Sequence, residues 1–303
     1  MSADQRPGKR FPLSHARVLA LTALTMLAFA GNSLLCRAAL GHTHIDAASF
    51  TTIRLISGAL VLWLITRLRR GTRSGRGSWR SALALFIYAA GFSYAYLSLP
   101  ASTGALLLFG AVQATMIGYG IRTGERLRRP QLAGLILAFA GLLGLLLPGV
   151  TAPPLLGSLL MLGAGVAWGI YSLCGRGAGD SIAVTAGNFL RTVPIAIVLS
   201  ACTFQGIAVD ADGFGYAVAS GALASGLGYA LWYTVLPALK ATRAASVQLS
   251  VPVIAALGGI LFLGEHLSLR LVLASVAILG GIALVVLEKP RANGAPKIGA
   301  ERQ

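Results

Sequence analysis

Two arginines, Arg54 and Arg191, stand inside long apolar stretches of the chain. A charge at membrane depth costs about 2.5–3.5 kcal/mol on insertion scales, so it turns toward protein interior or water. No acidic residue accompanies either at that depth: Asp46, Glu125, Asp180, Asp210, Asp212, Glu265 and Glu288 all fall at the ends of apolar stretches. A guanidinium so placed can clasp a carboxylate through its planar fork. It can equally bond backbone carbonyls or snorkel to an interface. Asn32 lies in mid-stretch and must find a partner, in a solute or on a neighbouring helix. Gln113 and Gln248 occupy two stretches that both end in Gly-Glu, and Pro252 frees the carbonyl four residues before it, that of Gln248.

The aromatic residues are clustered. Tyr88, Phe92, Tyr94 and Tyr96 crowd one stretch, Tyr229, Trp232 and Tyr233 another, and Trp168 and Tyr171 a third. Interfacial belts account for Trp63, Trp79, Trp232 and Tyr233. Tyr94, Trp168 and Tyr229 lie deeper, where they could wall a cavity for flat or apolar solutes, aromatic amino acids among them, or for organic cations. The candidate solute-binding set is therefore Asn32, Arg54, Tyr94, Trp168, Arg191, Tyr229 and Gln248.

Other chemistries find little footing. Cys36, Cys174 and Cys202 form no Cys-x-x-Cys pair, so neither structural zinc nor a disulfide framework is expected. His42, His44 and Asp46 could meet a metal in a loop, but they read more simply as a polar interhelical turn. There is no Gly-x-x-x-x-Gly-Lys-Ser/Thr segment for nucleotide phosphates. No paired carboxylates or nucleophile–base pair appear, so catalytic residues, a metal and a cofactor are all expected to be absent. A membrane-embedded enzyme stays as a remote alternative.

The elements that hold these residues are membrane spans. Of 303 residues 56% are hydrophobic and 11% charged, against about 25% charged in soluble domains. Such a composition excludes a disordered chain. The apolar residues form ten blocks of roughly membrane-spanning length: 17–38, 47–66, 80–98, 101–121, 130–148, 154–175, 181–202, 213–235, 241–263 and 268–287. Ala28-Phe29-Ala30 before Gly31 resembles a signal-cleavage site, but the apolar run continues through Leu34 and Leu35, so a retained span is expected.

The net charge of +16 would suggest nucleic acid in a soluble protein. Here the basic residues sit in short loops and tails. Arg6, Lys9, Arg10 and Arg17, then Arg67–Arg80, Arg122–Arg129, Arg176, Lys240 with Arg243, and the tail from Lys289 fall on one side of an alternating chain. Arg37 and Arg270 fall on the other, with Asp46, Asp210, Asp212 and Glu265. This alternation predicts an all-α integral membrane protein of ten helices with both termini cytoplasmic, in contact with lipid and not nucleic acid.

The halves also resemble each other. Gly31–Cys36 aligns with Gly169–Cys174, Arg54 with Arg191, Gly91 and Tyr94 with Gly226 and Tyr229, Gly124-Glu125-Arg126-Leu127 with Gly264-Glu265-His266-Leu267, and Ala140–Leu142 with Gly280–Ile282. Five spans per half make the second copy upside down, the plan of two inverted repeats that many secondary transporters share. The expected layout is a tail over 1–16, repeats over 17–148 and 154–287, and a tail over 288–303. One fused pair completes a pathway, so a monomer suffices.

At these residues the chain resembles the EamA-type drug/metabolite transporter superfamily, most closely the aromatic amino-acid exporter (YddG-type) branch. The resemblance covers about 17–287 and is most specific over Pro252, Gly264-Glu265-His266-Leu267, Gly280 and Gly281. It departs at Val112, where the second half has Pro252. It implies a bacterial inner-membrane exporter of small metabolites or drugs, with a central cavity lined by spans 1, 3, 4, 6, 8 and 9. A multidrug or cation exporter is the alternative, and a phosphorylated-sugar carrier a more distant one. With no carboxylate clearly inside the membrane, downhill transport is expected, or coupling through an edge group such as Glu265 or His266.

Overall fold

The computed structural model describes residues 14–69, 76–124, 127–175, 180–239 and 247–287. Both tails and several residues used for the charge alternation, among them Arg70, Arg73, Glu125, Arg126, Arg176, Lys240 and Arg243, lie outside these. The helices are α1 His15–His42, α2 Ala47–Leu68, α3 Trp79–Tyr96, α4 Ala101–Arg122, α5 Arg129–Leu146, α6 Leu155–Cys174 and α7 Ser181–Cys202. They continue with α8 Ala211–Val235, α9 Ser250–Leu263 and α10 Leu269–Leu287. Helix α1 runs unbroken through Ala30 and Gly31.

Eight of these helices are long and apolar enough to cross a membrane. The other two are α3, whose tyrosines and Arg80 lower its hydropathy, and α9, with 14 residues. Helix α9 starts later than the apolar block predicts, at Ser250, because regular helix is interrupted at Leu249. Pro252 then falls in its first turn, where the missing N–H costs nothing.

Helix starts follow capping chemistry. Asp46 Oδ1 accepts from the Ala48 and Ser49 amides at 3.0 and 2.9 Å, and Asp180 Oδ1 accepts from Ile182 at 3.1 Å. These two caps explain why α2 and α7 begin within a residue of the apolar blocks. Helix α8 is continuous but carries a π-helical stretch, Ser220–Leu227, at its centre.

The bundle has a largely apolar exterior along its helices, polar residues at its ends, and a mixed interior. Ile136, Phe139, Leu261, Phe262 and Val276 point outward, as lipid-facing residues do. Helix α5 packs on α10, with Gly134 and Gly281 letting the backbones meet. Helix α3 packs on α6, α1 on α8, α2 on α7 and α8, α6 on α4, and α1 on α9.

Contacts between loops separate into two ends. The Asp46 amide and carboxylate bond Ala208, the Glu265 carboxylate bonds Ala101, and Arg270 lies beside Gly149. At the other end Arg69 pairs with Asp180 at 3.1 Å, and Arg191 donates to the Arg76 carbonyl. Loops after odd helices meet one another, and loops after even helices do the same, so successive helices run in alternating directions.

Candidate functional site

Where α1, α3, α4, α6 and α8 converge, a small cavity of about 20 Å3 is lined by Asn32, Tyr88, Phe92, Trp168 and Tyr229, with Phe29, Phe109 and Ala224. Trp168 sits at its centre, with ring centroids 4.8 Å from Tyr88, 5.0 Å from Tyr229 and 5.3 Å from Tyr171. A cavity of this size admits about one water molecule. A larger groove of about 500 Å3 runs outside, between α4, α9 and α10, but its wall is almost wholly apolar and faces lipid. Helix α9 thus lines this groove, and none of its described residues lines the inner cavity; the start of expected span 9, 241–246, lies outside the described residues.

Behind the Tyr88 and Phe92 rings lies Arg54, 1% exposed. Its Nη2 donates to the Tyr88 hydroxyl at 3.1 Å. Its guanidinium carbon stands 4.9 Å from the Phe92 centroid and 5.3 Å from that of Tyr88, within cation–π range. The Tyr88 hydroxyl also accepts from Asn32 Nδ2 at 3.2 Å, and Ser220 Oγ donates to Asn32 Oδ1 at 2.7 Å. A polar chain Ser220–Asn32–Tyr88–Arg54 therefore crosses the aromatic core and joins the two halves of the sequence.

Helix α2 brings Arg54 there through close backbone approach. A Cβ on Gly221 would run into the Ser57 hydroxyl and the Arg54 carbonyl, so glycine lets the π-helical part of α8 rest on α2.

Of the seven sequence-predicted residues, Asn32, Arg54, Trp168 and Tyr229 come together. The other three do not join them. Tyr94 is half-buried near the end of α3; it follows Phe92 by two residues, about 200° around the helix, and so turns away from the face that carries Tyr88 and Phe92. Gln248 is half-buried in the segment before α9 and lines no described cavity. Arg191 donates to the Gly187 carbonyl one turn back, at 2.8 Å, and to the Arg76 carbonyl. It ties the segment before α3 to α7, the structural alternative raised above.

Tyr88 and Phe92 belong to the aromatic cluster read from the sequence but not to the candidate set, and Ser220 belongs to neither. The first two sit four residues apart, one helical turn, directly across from an unpaired arginine. That spacing was the available signal. Ser220 offers none, since its partner lies 188 residues away.

The edge groups serve structure. Glu265 Oε1 accepts from the Ala101 amide at 2.5 Å, and Oε2 from the Ser102 amide and hydroxyl at 3.3 and 3.2 Å. It caps α4, whose own N-cap residue, Pro100, makes no side-chain cap bond. At Asp46, burial pushes the carboxyl up, but the hydrogen bonds from Ser49, Ala208 and Ala48 outweigh it and hold the pKa below the ordinary value.

The EamA-like transporter family model matches residues 155–287. Uncharacterized protein PA1977 of Pseudomonas aeruginosa is 59% identical over 285 residues, spanning 94% of this chain and 99% of its own. An uncharacterized transporter of Archaeoglobus fulgidus is 29% identical over 169 residues, spanning 54% of this chain and 60% of its own. The uncharacterized transporter YoaV of Bacillus subtilis is 24% identical over 257 residues, spanning 80% and 88%. A solved crystal structure shares the fold with a TM-score of 0.65 at 20% identity, over 90% of this chain and 98% of that one. Residues 155–287 match the EamA-like transporter family, and the chain is a multi-pass membrane protein of transporter type.

Proposed function

We propose that the protein exports small metabolites, amino acids of aromatic or neutral type, across a bacterial inner membrane by alternating access through the cavity around Trp168. This is the reading of the YddG-type branch within the family. The observation that carries it is the polar chain from Ser220 to Arg54 set in an aromatic wall at the centre of the bundle. Buried polar groups inside membrane helices are costly, and when they line a cavity they mark the solute's path. The solute-binding residues are Asn32, Arg54, Trp168 and Tyr229, joined by Tyr88 and Phe92. Tyr94, Gln248 and Arg191 belong to the path only if it widens in another conformation.

Two inverted five-helix repeats, 17–148 and 154–287, support alternating access. Packing of α3 on α6 has its counterpart in α8 on α1, and α4 on α6 in α9 on α1. Both tails are cytoplasmic in this reading, because the basic loops fall on their side. A single chain is sufficient for transport. An exporter of drug-like cations is the second reading, favoured by the Trp168, Tyr88 and Tyr229 faces.

The test is uptake by proteoliposomes of labelled aromatic and aliphatic amino acids, a sugar phosphate and a quaternary cation. Movement of amino acids without an imposed ion gradient is expected. Movement of the cation alone refutes the amino-acid reading and leaves the drug-carrier one.

A further inference from the structure

Arg54 has an unfilled demand. Its Nη2 is bonded to Tyr88, but Nε and Nη1 are buried and have no hydrogen-bond partner among the described residues. A guanidinium offers five N–H donors and cannot be neutralised. The Tyr88 and Phe92 rings attract its charge from within cation–π range. The described acids are placed elsewhere: Asp46 and Asp180 cap helices, Glu265 caps α4, and Asp210 and Asp212 lie at the start of α8. The cavity beside Arg54 is therefore a site of net positive charge at the heart of the bundle.

We infer that this site reads a carboxylate and does not read an ammonium, so its solutes are carboxylates on a flat apolar body, the amino group being dispensable. The inference rests on the transport reading above. Tyr88 presents a neutral oxygen at 3.1 Å where a carboxylate oxygen fits, and its ring is also a wall of the cavity. Displacing Tyr88 opens the way from the cavity to Arg54 and offers its free nitrogens for a bidentate pair. An ammonium finds the opposite. Among the described residues no carboxylate faces the cavity, and Arg54 already occupies the faces of two of the rings that would otherwise hold a cation.

The test uses the full chain in detergent and three probes that share one ring: 3-phenylpropionate, phenylalanine and phenethylamine. Ligand-induced thermal stabilisation is titrated with each. Phenylpropionate is expected to bind at least as tightly as phenylalanine, and phenethylamine not to bind at concentrations tenfold higher. Arg54→Lys keeps the charge but loses the fork, and weakens both acids about tenfold or more, the value of a charged hydrogen bond. Should Arg54→Lys fail to fold, Tyr88→Phe serves instead; it keeps the ring, removes the hydroxyl that occupies Arg54 Nη2 and tightens both acids several-fold with phenethylamine still unbound, and a variant that binds phenethylamine as well as the acids overturns the inference.

Binding of phenethylamine as tight as that of phenylpropionate overturns the inference. So does binding of phenylalanine with rejection of phenylpropionate, because the ammonium is then being read. Proteoliposome transport of a quaternary cation with no binding of either acid overturns it and leaves transport standing. Binding of phenylpropionate without transport of any solute in the panel supports the site and refutes the transport reading.

Discussion

Replacing Glu265 by Gln separates a structural carboxylate from a coupling one. Gly264 takes a left-handed φ of 64° after α9, and the Glu265 amide donates back to the Gly259 carbonyl at 3.0 Å. This turn aims the carboxylate at the start of α4, where it accepts three hydrogen bonds from Ala101 and Ser102. An amide has one acceptor oxygen, so it keeps the Ala101 bond and loses the one from the Ser102 amide. It also loses the interaction of a negative charge with the helix N-terminus. That interaction contributes from 0.3 to about 2 kcal/mol when partly buried, and the lost hydrogen bond about 1 kcal/mol.

The expected destabilisation is therefore about 1–3 kcal/mol, or about 2–5 °C in unfolding temperature at this chain length. Thermal unfolding of the purified protein in detergent measures it. Ser102→Ala is the companion variant, and the double variant should lose less than the two singles together. Solute flux in proteoliposomes without an ion gradient should persist in Glu265→Gln. An unchanged unfolding temperature, with proton-linked flux present in the wild type and abolished in the variant, refutes the capping argument and makes Glu265 a coupling group.

Three further outcomes follow from the same geometry. Asn32→Leu strands the Ser220 hydroxyl and leaves Tyr88 with Arg54 alone; a loss of about 1–2 kcal/mol is expected on unfolding, with solute flux falling much further. Gly221→Ala forces α8 away from Ser57 and the Arg54 carbonyl; overpacking of this kind costs about 1–3 kcal/mol, and both thermal unfolding and flux should report it. For Asp46 the folded pKa lies below the ordinary 3.8, so its contribution is complete above that value and fades as pH falls through the lower folded one. The stability gap between wild type and Asp46→Asn, measured by thermal unfolding across pH, should be widest near neutrality and close in strong acid.

The sequence carried the helices better than the site. The blocks 47–66, 101–121 and 181–202 agree closely with α2, α4 and α7, because Asp46, Pro100 and Asp180 mark their starts chemically. The start of α9 was hidden, since nothing in the composition before Ser250 distinguishes an interrupted helix from a continuous one. Arg54 and Arg191 align in the repeat but differ in fate: one is sealed behind aromatic rings, the other caps a loop. Tyr94 and Tyr229 also align, yet only Tyr229 reaches the cavity. The physical reason lies in α8, whose π-helical turns at Ser220–Leu227 shift the register that follows, by roughly 100° per accommodated residue. Helix α3 has no such stretch, so equal spacing puts its tyrosine on a different face.

A cavity of about 20 Å3 holds no organic solute, so the transport reading proposed above requires the helices around Trp168 to part. The bonds that close the two ends of the bundle differ in kind. At one end the carboxylates of Asp46 and Glu265 take backbone amides from distant helices, a rigid and charge-assisted arrangement. At the other the cross-helix ion pair is Arg69–Asp180, with side chains 47% and 24% exposed. An exposed pair is worth at most about 1 kcal/mol and is screened by salt. Among the described residues two ties there, from the Ser78 amide to Asn188 and from Arg191 to the Arg76 carbonyl, grip the segment leading into α3, while Gln131 ties α5 to the Val285 carbonyl of α10. That segment leads into α3, which packs on α6, α7 and α2 and carries Tyr88 and Phe92, the two side chains that cover Arg54. On the transport reading proposed above, opening at this end would move α3 and uncover Arg54 together, giving a solute carboxylate its route while the Asp46 and Glu265 end stays closed.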